Sequence, residues 1–261
     1  GLIALKSGND EENAAFVLLV DLPESASETQ TEDENIVLAL KRAEGLERVF
    51  VLVRRRSQCG KIWRGRERKR GAIEDMNALL LSGGSENFLY MSAVPETPEY
   101  VVLLDADSVI APGGIRRAVA AMMHPLSASV DLMAFTCRYK VSTVTTLHGR
   151  AFLNESGEER YCASDDFYYD LCGRSVFCGK GIYRLKSFTE KLRGALPEGR
   201  VLSHDIAEGA LTHTASAGEC VFEDVPPTYA ADVSRKRRWQ RGDLLLLPLA
   251  FSSRAVHPLY R

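Results

Sequence analysis

Two carboxylates one residue apart, Asp105 and Asp107, form the part of the sequence best suited to chemistry. They follow four apolar residues, 101–104, a run that predicts a buried strand ending at the acids. Ligands of open α/β sheets bind beyond the carboxyl ends of such strands. Carboxylate oxygens suit a hard divalent cation, Mg²⁺ or Mn²⁺, that also contacts a diphosphate. We therefore predict a metal site at Asp105 and Asp107, although this short motif also fits a surface turn with two solvated acids.

The composition and charge restrict the classes of partner. The chain has 261 residues, of which 45% are apolar and 26% charged, as in an ordinary globular protein. Its net charge of −2 argues against nucleic acid as a partner. Basic residues are concentrated in segments 54–70 and 235–241, which hold nine and five Lys or Arg residues. These blocks indicate local sites for anions.

The cysteines and the apolar runs indicate a cytoplasmic setting. None of the six cysteines forms a C-x-x-C pair, so we expect reduced thiols and no zinc. No run of about 20 apolar residues is present, so we expect contact with a membrane only through parts outside this chain.

Alternating strand and helix patterns predict an α/β fold with a mostly parallel sheet. Helix 31–44 is predicted from a capping box, Thr31 to Glu34, and helix 66–82 ends at Gly83. Predicted strands are residues 14–22, 49–53, 100–104, 130–137, 176–183 and 219–225, and further predicted helices are 112–123, 205–214 and 232–247. We interpret residues 1–261 as one domain, with a nucleotide-binding half to about residue 125 and an acceptor-binding half from about 126.

Five ordered blocks of sequence carry a resemblance to a known family. They are ERKRGAIEDMN (67–77), LLDADS (103–108), DDFYYDL with FCGKGIY (165–183), LSHDIAEGA (202–210) and SRKRRWQRGD (234–243). The order resembles that of the family-2-like GT-A glycosyltransferases, and most closely the glycosyltransferase domain of cyclic β-1,2-glucan synthases. The resemblance implies a three-layer, Rossmann-like GT-A fold and inverting transfer from UDP-glucose, with Mg²⁺ or Mn²⁺, onto a β-glucan. It also implies a place at the cytoplasmic face of the inner membrane, as part of a larger synthase.

The resemblance implies roles for residues that bind the donor. Asp21 would lie near the uracil and ribose, and Lys69 and Arg70 would approach the nucleotide or its phosphates. Asp105 and Asp107 would face the ribose and the metal-bound diphosphate.

The last two blocks imply the catalytic groups. Asp205 matches the position of the catalytic base, although an Asp there also fits a helix N-cap. Arg238 and Trp239 match the Arg-Trp of a Gln-x-x-Arg-Trp motif, in which the Arg neutralises the diphosphate and the Trp lines the acceptor path. Arg235 stands where other members have Gln, and we include it among the donor-binding residues.

Two other functions are compatible with parts of the sequence. A strand followed by Asp-x-Asp-Ser also fits the nucleophile loop of a haloacid-dehalogenase-type phosphatase, in which Asp105 would be phosphorylated. That fold usually has this motif near the start of the chain, whereas about 100 residues precede it here. A non-catalytic module that binds nucleotide or glucan is the other alternative.

Overall fold

The computed structural model describes residues 2–93, 96–155 and 167–252. Its contacts divide the chain into a smaller unit, Glu11–Glu99, and a larger unit, Gly1–Asp10 with Tyr100–Arg261. The helices are α1 Leu2–Gly8, α2 Asp33–Lys41, α3 Arg68–Ser82, α4 Gly114–Met123, α5 Leu147–Glu155, α6 Phe167–Cys172, α7 Leu185–Leu192, α8 His204–Leu211 and α9 Tyr229–Ser252. The strands are β1 Phe16–Asp21, β2 Val49–Arg54, β3 Ser57–Cys59, β4 Ile62–Arg64, β5 Phe88–Met91, β6 Tyr100–Leu103, β7 Val109–Ile110, β8 Leu132–Tyr139, β9 Gly181–Arg184 and β10 Thr214–Glu223.

The smaller unit is built on a three-stranded sheet in the order β1-β2-β5. Strands β1 and β2 are parallel with Asp21 opposite Arg54, and β5 is antiparallel to β2. The β-branched residues of β2 predict a strand, and Val51 and Val53 are fully buried in a core with Leu22. This sheet therefore brings Asp21 and Arg54 to one edge, as parallel neighbours that end together.

The larger unit contains a five-stranded sheet in the order β6-β9-β8-β10-β7. Within it β8 and β10 are parallel, whereas the β6–β9, β9–β8 and β10–β7 pairs are antiparallel. The predicted mostly parallel sheet is therefore wrong, and both larger sheets are mixed. Apolar runs predict where strands occur but carry no information about strand direction, and short return strands such as β7 are too brief to show a period.

Some helices and strands differ from the predictions in where they begin or in which contacts stabilise their ends. Strand β9 begins at Gly181 and not at the predicted residue 176, and residues 174–180 have no regular secondary structure. The predicted capping box is wrong, since no side-chain cap bond forms at the start of α2. The Asp33 carboxylate instead accepts from the Gln30 backbone at 2.8 Å and pairs with Arg56. The predicted stop of α3 is confirmed, with Gly83 in the left-handed region at φ 73°.

The C-terminal helix α9 has 24 residues and contains Pro248. Among the described residues, no helix combines the length and the apolar character needed to cross a bilayer.

We predict that Gly181→Ala destabilises the larger unit. A Cβ at this position would lie 2.3 Å from the backbone oxygen of Met133 on the neighbouring strand, so β8 and β9 would have to separate. Overpacking of this kind lowers the free energy of unfolding by about 1–3 kcal/mol. Urea unfolding would show this as a lower midpoint concentration. Gly45→Ala is the control, because its Cβ meets no described atom within 4 Å. An unchanged midpoint for Gly181→Ala would contradict the close approach of the two strands.

Candidate active site

The Asp-x-Asp motif lies in a turn between β6 and β7 of the larger unit. The backbone of Ser108 donates to the carbonyl of Asp105 at 3.0 Å, which closes the turn directly after the strand. The Asp105 side chain is about one-third exposed, and Asp107 is exposed. The prediction that a strand presents both acids at its end is confirmed.

Two lysines hold this turn against the end of β10. The Lys180 ammonium lies 3.1 Å from Oδ2 of Asp105 and also contacts Glu223. Lys140 donates to the carbonyl oxygen of Asp107 at 2.8 Å and pairs with Asp224 at 3.0 Å. Burial opposes the charge of Lys180, but Cys137, Glu223 and Asp105 outweigh it and raise its pKa above the usual value.

The donor set of this turn fits a magnesium-type cation. Mg²⁺ is commonly held by one or two carboxylates together with substrate phosphates and water, and Asp105 and Asp107 supply two hard oxygen donors. Lys180 already neutralises one oxygen of Asp105. The Asp107 carboxylate is exposed, and no ion pair to it is found in the described part of the chain. Asp107 is thus the better placed of the two as a direct ligand.

Asp205 lies in the first turn of α8, beside a buried histidine. Nε2 of His204 is 2.9 Å from Oδ1 of Asp205, and Nδ1 is 3.0 Å from Oε1 of Glu208. Burial lowers the pKa of His204, but the hydrogen bonds to Asp205 and Glu208 outweigh it and raise the pKa to about 10. These two contacts therefore favour the charged form of the imidazole. The N-cap of α8 is Ser203, so the alternative of Asp205 as the N-cap is wrong.

The same three side chains have the spacing of a possible cation site. One ligand-type atom from each lies within 4.8 Å of the others. Both ring nitrogens of His204 already face carboxylates, and a doubly protonated imidazole satisfies both contacts by itself. We therefore assign the cluster to an ion-paired triad.

Helix α9 carries an aromatic and cationic surface. The guanidinium of Arg235 lies 4.6 Å from the ring centroid of Trp239 and donates to the Tyr139 hydroxyl at 3.0 Å. The Trp239 side chain is 47% exposed, which excludes simple core packing as its role. Arg238 is exposed and has no ion pair among the residues that the structure describes.

Contacts within the larger unit connect α8 to the Asp-x-Asp turn. Gly209 of α8 packs so closely on Phe177 that a Cβ would lie 2.9 Å from the Phe177 Cβ. Three residues after Phe177, Lys180 contacts Asp105. A single buried stretch of chain therefore touches both the helix that carries Asp205 and the motif.

Helix α9 is connected to the same elements. Ser203, directly before α8, donates to Oδ1 of Asp243 on α9 at 2.7 Å. Tyr139, which contacts Arg235, is adjacent to the Lys140 that holds the Asp107 backbone. The larger unit thus carries Asp105, Asp107, Asp205, Arg235, Arg238 and Trp239 on elements that contact one another in sequence.

Asp21, Lys69 and Arg70 belong to the smaller unit, where the buried Arg54 holds Asp21. Arg54 is 1% exposed, pairs with Asp21 at 3.0 Å and with Asp75 at 2.8 Å, and donates to the Arg66 carbonyl at 2.7 Å. Burial raises the pKa of Asp21 above its usual value, although Arg54 opposes the effect. Arg54 therefore joins the end of β1 to the loop before α3.

The loop before α3 has an unusual backbone. Glu67 and Arg68 adopt left-handed conformations at φ 52° and 50°, which are costly for residues with a side chain. Gly65 lies so close to Asp21 that a Cβ would meet the carboxylate at 2.3 Å. Arg70 is 3% exposed and engaged by Glu67 at 2.6 Å and Glu74 at 3.0 Å, so its predicted role toward phosphate stays a prediction.

A cleft of about 420 Å³ lies beside the end of β1 in the smaller unit. Arg56 and Asp33 form a buried two-contact ion pair at its wall, with distances of 2.6 and 2.8 Å. The lining residues are Pro23, Glu24, Ser25, Ala26, Gln30, Glu32, Asp33, Ile36 and Arg56.

Sequence reasoning missed the residues that hold the acids. Arg54 and Lys180 looked like members of a basic block and a glycine-rich segment, and Glu208 looked like an ordinary helix residue. The spacing from His204 to Glu208, i to i+4 on a helix, was the available signal for that pair. The acidic pair Asp165 and Asp166 lies outside the described residues.

Comparison with known proteins identifies relatives among enzymes of glucan synthesis. The cyclic beta-(1,2)-glucan synthase of Rhizobium meliloti strain 1021 is 31% identical over 266 residues, which covers 91% of this chain and 9% of that protein. A glucans biosynthesis glucosyltransferase H of Pseudomonas putida strain W619 is 29% identical over 62% of this chain and 20% of its own length. No protein-family model matches the chain.

The chain is thus related in sequence to the glucan glycosyltransferases. It spans about a tenth to a fifth of the length of these relatives. The phosphatase alternative finds no support among these relatives.

We predict that Arg54→Ala strongly destabilises the smaller unit. The substitution leaves Asp75, which is 5% exposed, without its closest cationic partner. Removing one member of a buried ion pair costs about 3–5 kcal/mol, measured by urea unfolding. Arg55→Ala is the matched control, because this neighbouring arginine is exposed. Equal midpoints for the two variants would contradict the central role of Arg54.

Proposed function

We propose that this chain transfers glucose from UDP-glucose onto a growing β-glucan with inversion at the anomeric carbon. The observation that carries the proposal is the carboxylate of Asp205, which is about one-third exposed and is held by His204 in the unit that also bears Asp105 and Asp107. The relatives named for glucan synthesis support the class of donor and acceptor. We also propose that the two units form the GT-A fold of this enzyme class.

The proton transfer is assigned to Asp205. A sugar hydroxyl is a weak nucleophile at its own pKa, so Asp205 takes its proton as the oxygen attacks the anomeric carbon. The new C–O bond forms on the face opposite UDP while the bond from that carbon to the diphosphate oxygen breaks. General-base help of this kind contributes roughly 10²–10⁴-fold to the rate.

The departing diphosphate is assigned to the cationic face of α9. Both Arg235 and Arg238 lie on α9. Arg238 is exposed, and Arg235 is fixed by Tyr139 and Trp239. Fixed cations stabilise the charge that develops on a leaving group, and losing one donor costs on the order of 10²–10³ in rate. The exposed face of Trp239 offers an apolar platform for a sugar ring of the acceptor.

A divalent cation, Mg²⁺ or Mn²⁺, is proposed at Asp107 with Asp105 nearby, where it would neutralise the bound diphosphate. Lys180 keeps Asp105 oriented, and Lys140 fixes the backbone at Asp107.

The nucleoside is proposed to bind at the smaller unit. Asp21 is about one-third exposed at the end of β1, directly before the chain that lines the 420 Å³ cleft. Its carboxylate suits hydrogen bonds from the uracil or ribose, and the basic residue Lys69 lies in the first turn of α3 in the same unit.

We predict that Asp205→Asn abolishes transfer while UDP binding persists. An amide has the shape of the carboxylate but cannot take the acceptor proton, so the rate falls about 10²–10⁴-fold. UDP release from UDP-glucose with β-glucan oligomers measures transfer, and calorimetry measures UDP binding.

Glu190→Gln is the control for this experiment, because Glu190 is an exposed acid on α7 of the same unit. Full activity of Asp205→Asn would remove the base assignment. UDP binding by the unaltered chain without any transfer would instead favour the non-catalytic module.

We predict that Asp107→Asn removes the dependence of UDP binding on Mg²⁺ or Mn²⁺. The amide is a weaker ligand for a hard cation than a carboxylate. Calorimetric titration with UDP, with and without the cation and after chelation, measures the difference. Asp10→Asn, an exposed acid paired with Lys6, is the control. A metal effect of unchanged size in Asp107→Asn would move the site elsewhere.

A further inference from the structure

The buried ion pair of His204 has a consequence beyond the assignment of Asp205 as base. We propose that His204 is a positioning residue that bridges Glu208 and Asp205, orients the Asp205 carboxylate and keeps it ionised for proton transfer. This inference rests on the proposed function, and it concerns a residue that does not itself touch the substrate.

With both carboxylates ionised, the geometry requires hydrogen on both ring nitrogens. A carboxylate faces each nitrogen, Glu208 at 3.0 Å on Nδ1 and Asp205 at 2.9 Å on Nε2. An ionised carboxylate only accepts hydrogen bonds, so both contacts are satisfied at once only when the ring donates from both nitrogens. The bridging histidine is therefore an imidazolium.

Burial makes this arrangement specific. Glu208 is 2% exposed and His204 is 9% exposed, and a buried carboxylate is retained only with a charged or hydrogen-bonding partner. Glu208 thus fixes the imidazole ring on its buried side, and the ring in turn holds the more exposed carboxylate of Asp205. The order runs from buried anion to buried cation to the carboxylate at the surface.

The helix that carries the triad is itself immobilised. Gly209 packs directly on Phe177, and Arg174 donates to the Ala210 carbonyl near the end of the helix. At the start of the helix, the hydroxyl of Ser203, the residue before His204, donates to the carboxylate of Asp243 on α9. Asp243 is thus a charged group of α9 in contact with the residue directly before the triad. The position of Asp205 is consequently set by α8 and by His204 together.

The bridge makes Asp205 effective at lower pH than an isolated acid. A positive charge within hydrogen-bonding distance favours the ionised form of a carboxylate. Oδ1 of Asp205 faces the imidazolium, and we assign proton acceptance to its other oxygen, Oδ2.

The first measurement is the protonation of the histidine rings in the full 261-residue chain by nitrogen-15 NMR at pH 8. We expect one of the five histidines to remain doubly protonated at this pH and its signals to vanish in His204→Gln. Glu208→Gln keeps the shape of the side chain but removes a charge, so the same ring should lose its proton at lower pH. Five neutral rings at pH 8 would overturn the bridge without any reference to activity.

The second measurement is the pH dependence of transfer from UDP-glucose. In His204→Gln we expect the acidic limb of the kcat profile to move up by about one pH unit, since the base loses its cationic neighbour. The KM for UDP-glucose should stay within about twofold, because the donor does not touch this residue. His213→Gln, at a half-buried histidine bonded to the Ser129 carbonyl, is the matched control and should leave the profile unchanged.

The outcomes separate this inference from the proposed function. A merely structural role would lower activity equally at every pH, and an unmoved limb in a folded His204→Gln would overturn the inference alone. Should His204→Gln not fold, Glu208→Gln decides, and an unchanged titration of the ring in that variant overturns the bridge. Absence of transfer in the unaltered chain would overturn the proposed function, while the ring measurement would still report on the triad.

Discussion

The pairing of three carboxylates, Asp21, Asp105 and Asp205, with more buried cations is the interaction on which the candidate site depends. Arg54 holds Asp21, Lys180 holds Asp105, and His204 holds Asp205. An acid at the end of a strand or helix would otherwise rotate freely in water, whereas a fixed cation restricts it to one orientation. In each case the cation is the more buried partner, so the scaffold determines where the carboxylate points.

The two units orient their carboxylates with different kinds of cation. In the smaller unit one guanidinium reaches two carboxylates and two backbone carbonyls, which ties a strand to an irregular loop. In the larger unit a lysine and a histidine each serve two carboxylates. A guanidinium offers five donors in a fixed plane and suits the loop carbonyls, whereas the compact ammonium suits acids at the ends of two strands.

The sequence predicts the positions of elements better than their connections. Strand β2 and helix α3 follow from a β-branched run and from a glycine stop, which are local signals. The mixed sheet does not follow, because the direction of β9 depends on how residues far along the chain return to β8. Likewise the acids at 105 and 205 are recognisable from short motifs, but Arg54 and Lys180 are recognisable as their partners only when separate segments meet. The capping box predicted at Thr31 does not form, and the neighbouring Asp33 instead pairs with Arg56, which is distant in sequence.

The contact between Gly242 and Ser203 has a consequence for how the helices move. A Cβ on Gly242 would lie 2.2 Å from the Ser203 hydroxyl, so the two backbones meet with no space for a side chain. Helix α9, which carries Trp239, thus packs against the N-cap residue of α8. A displacement of α9 toward α8 would therefore push on the N-cap residue of α8 and on the first turn that follows it.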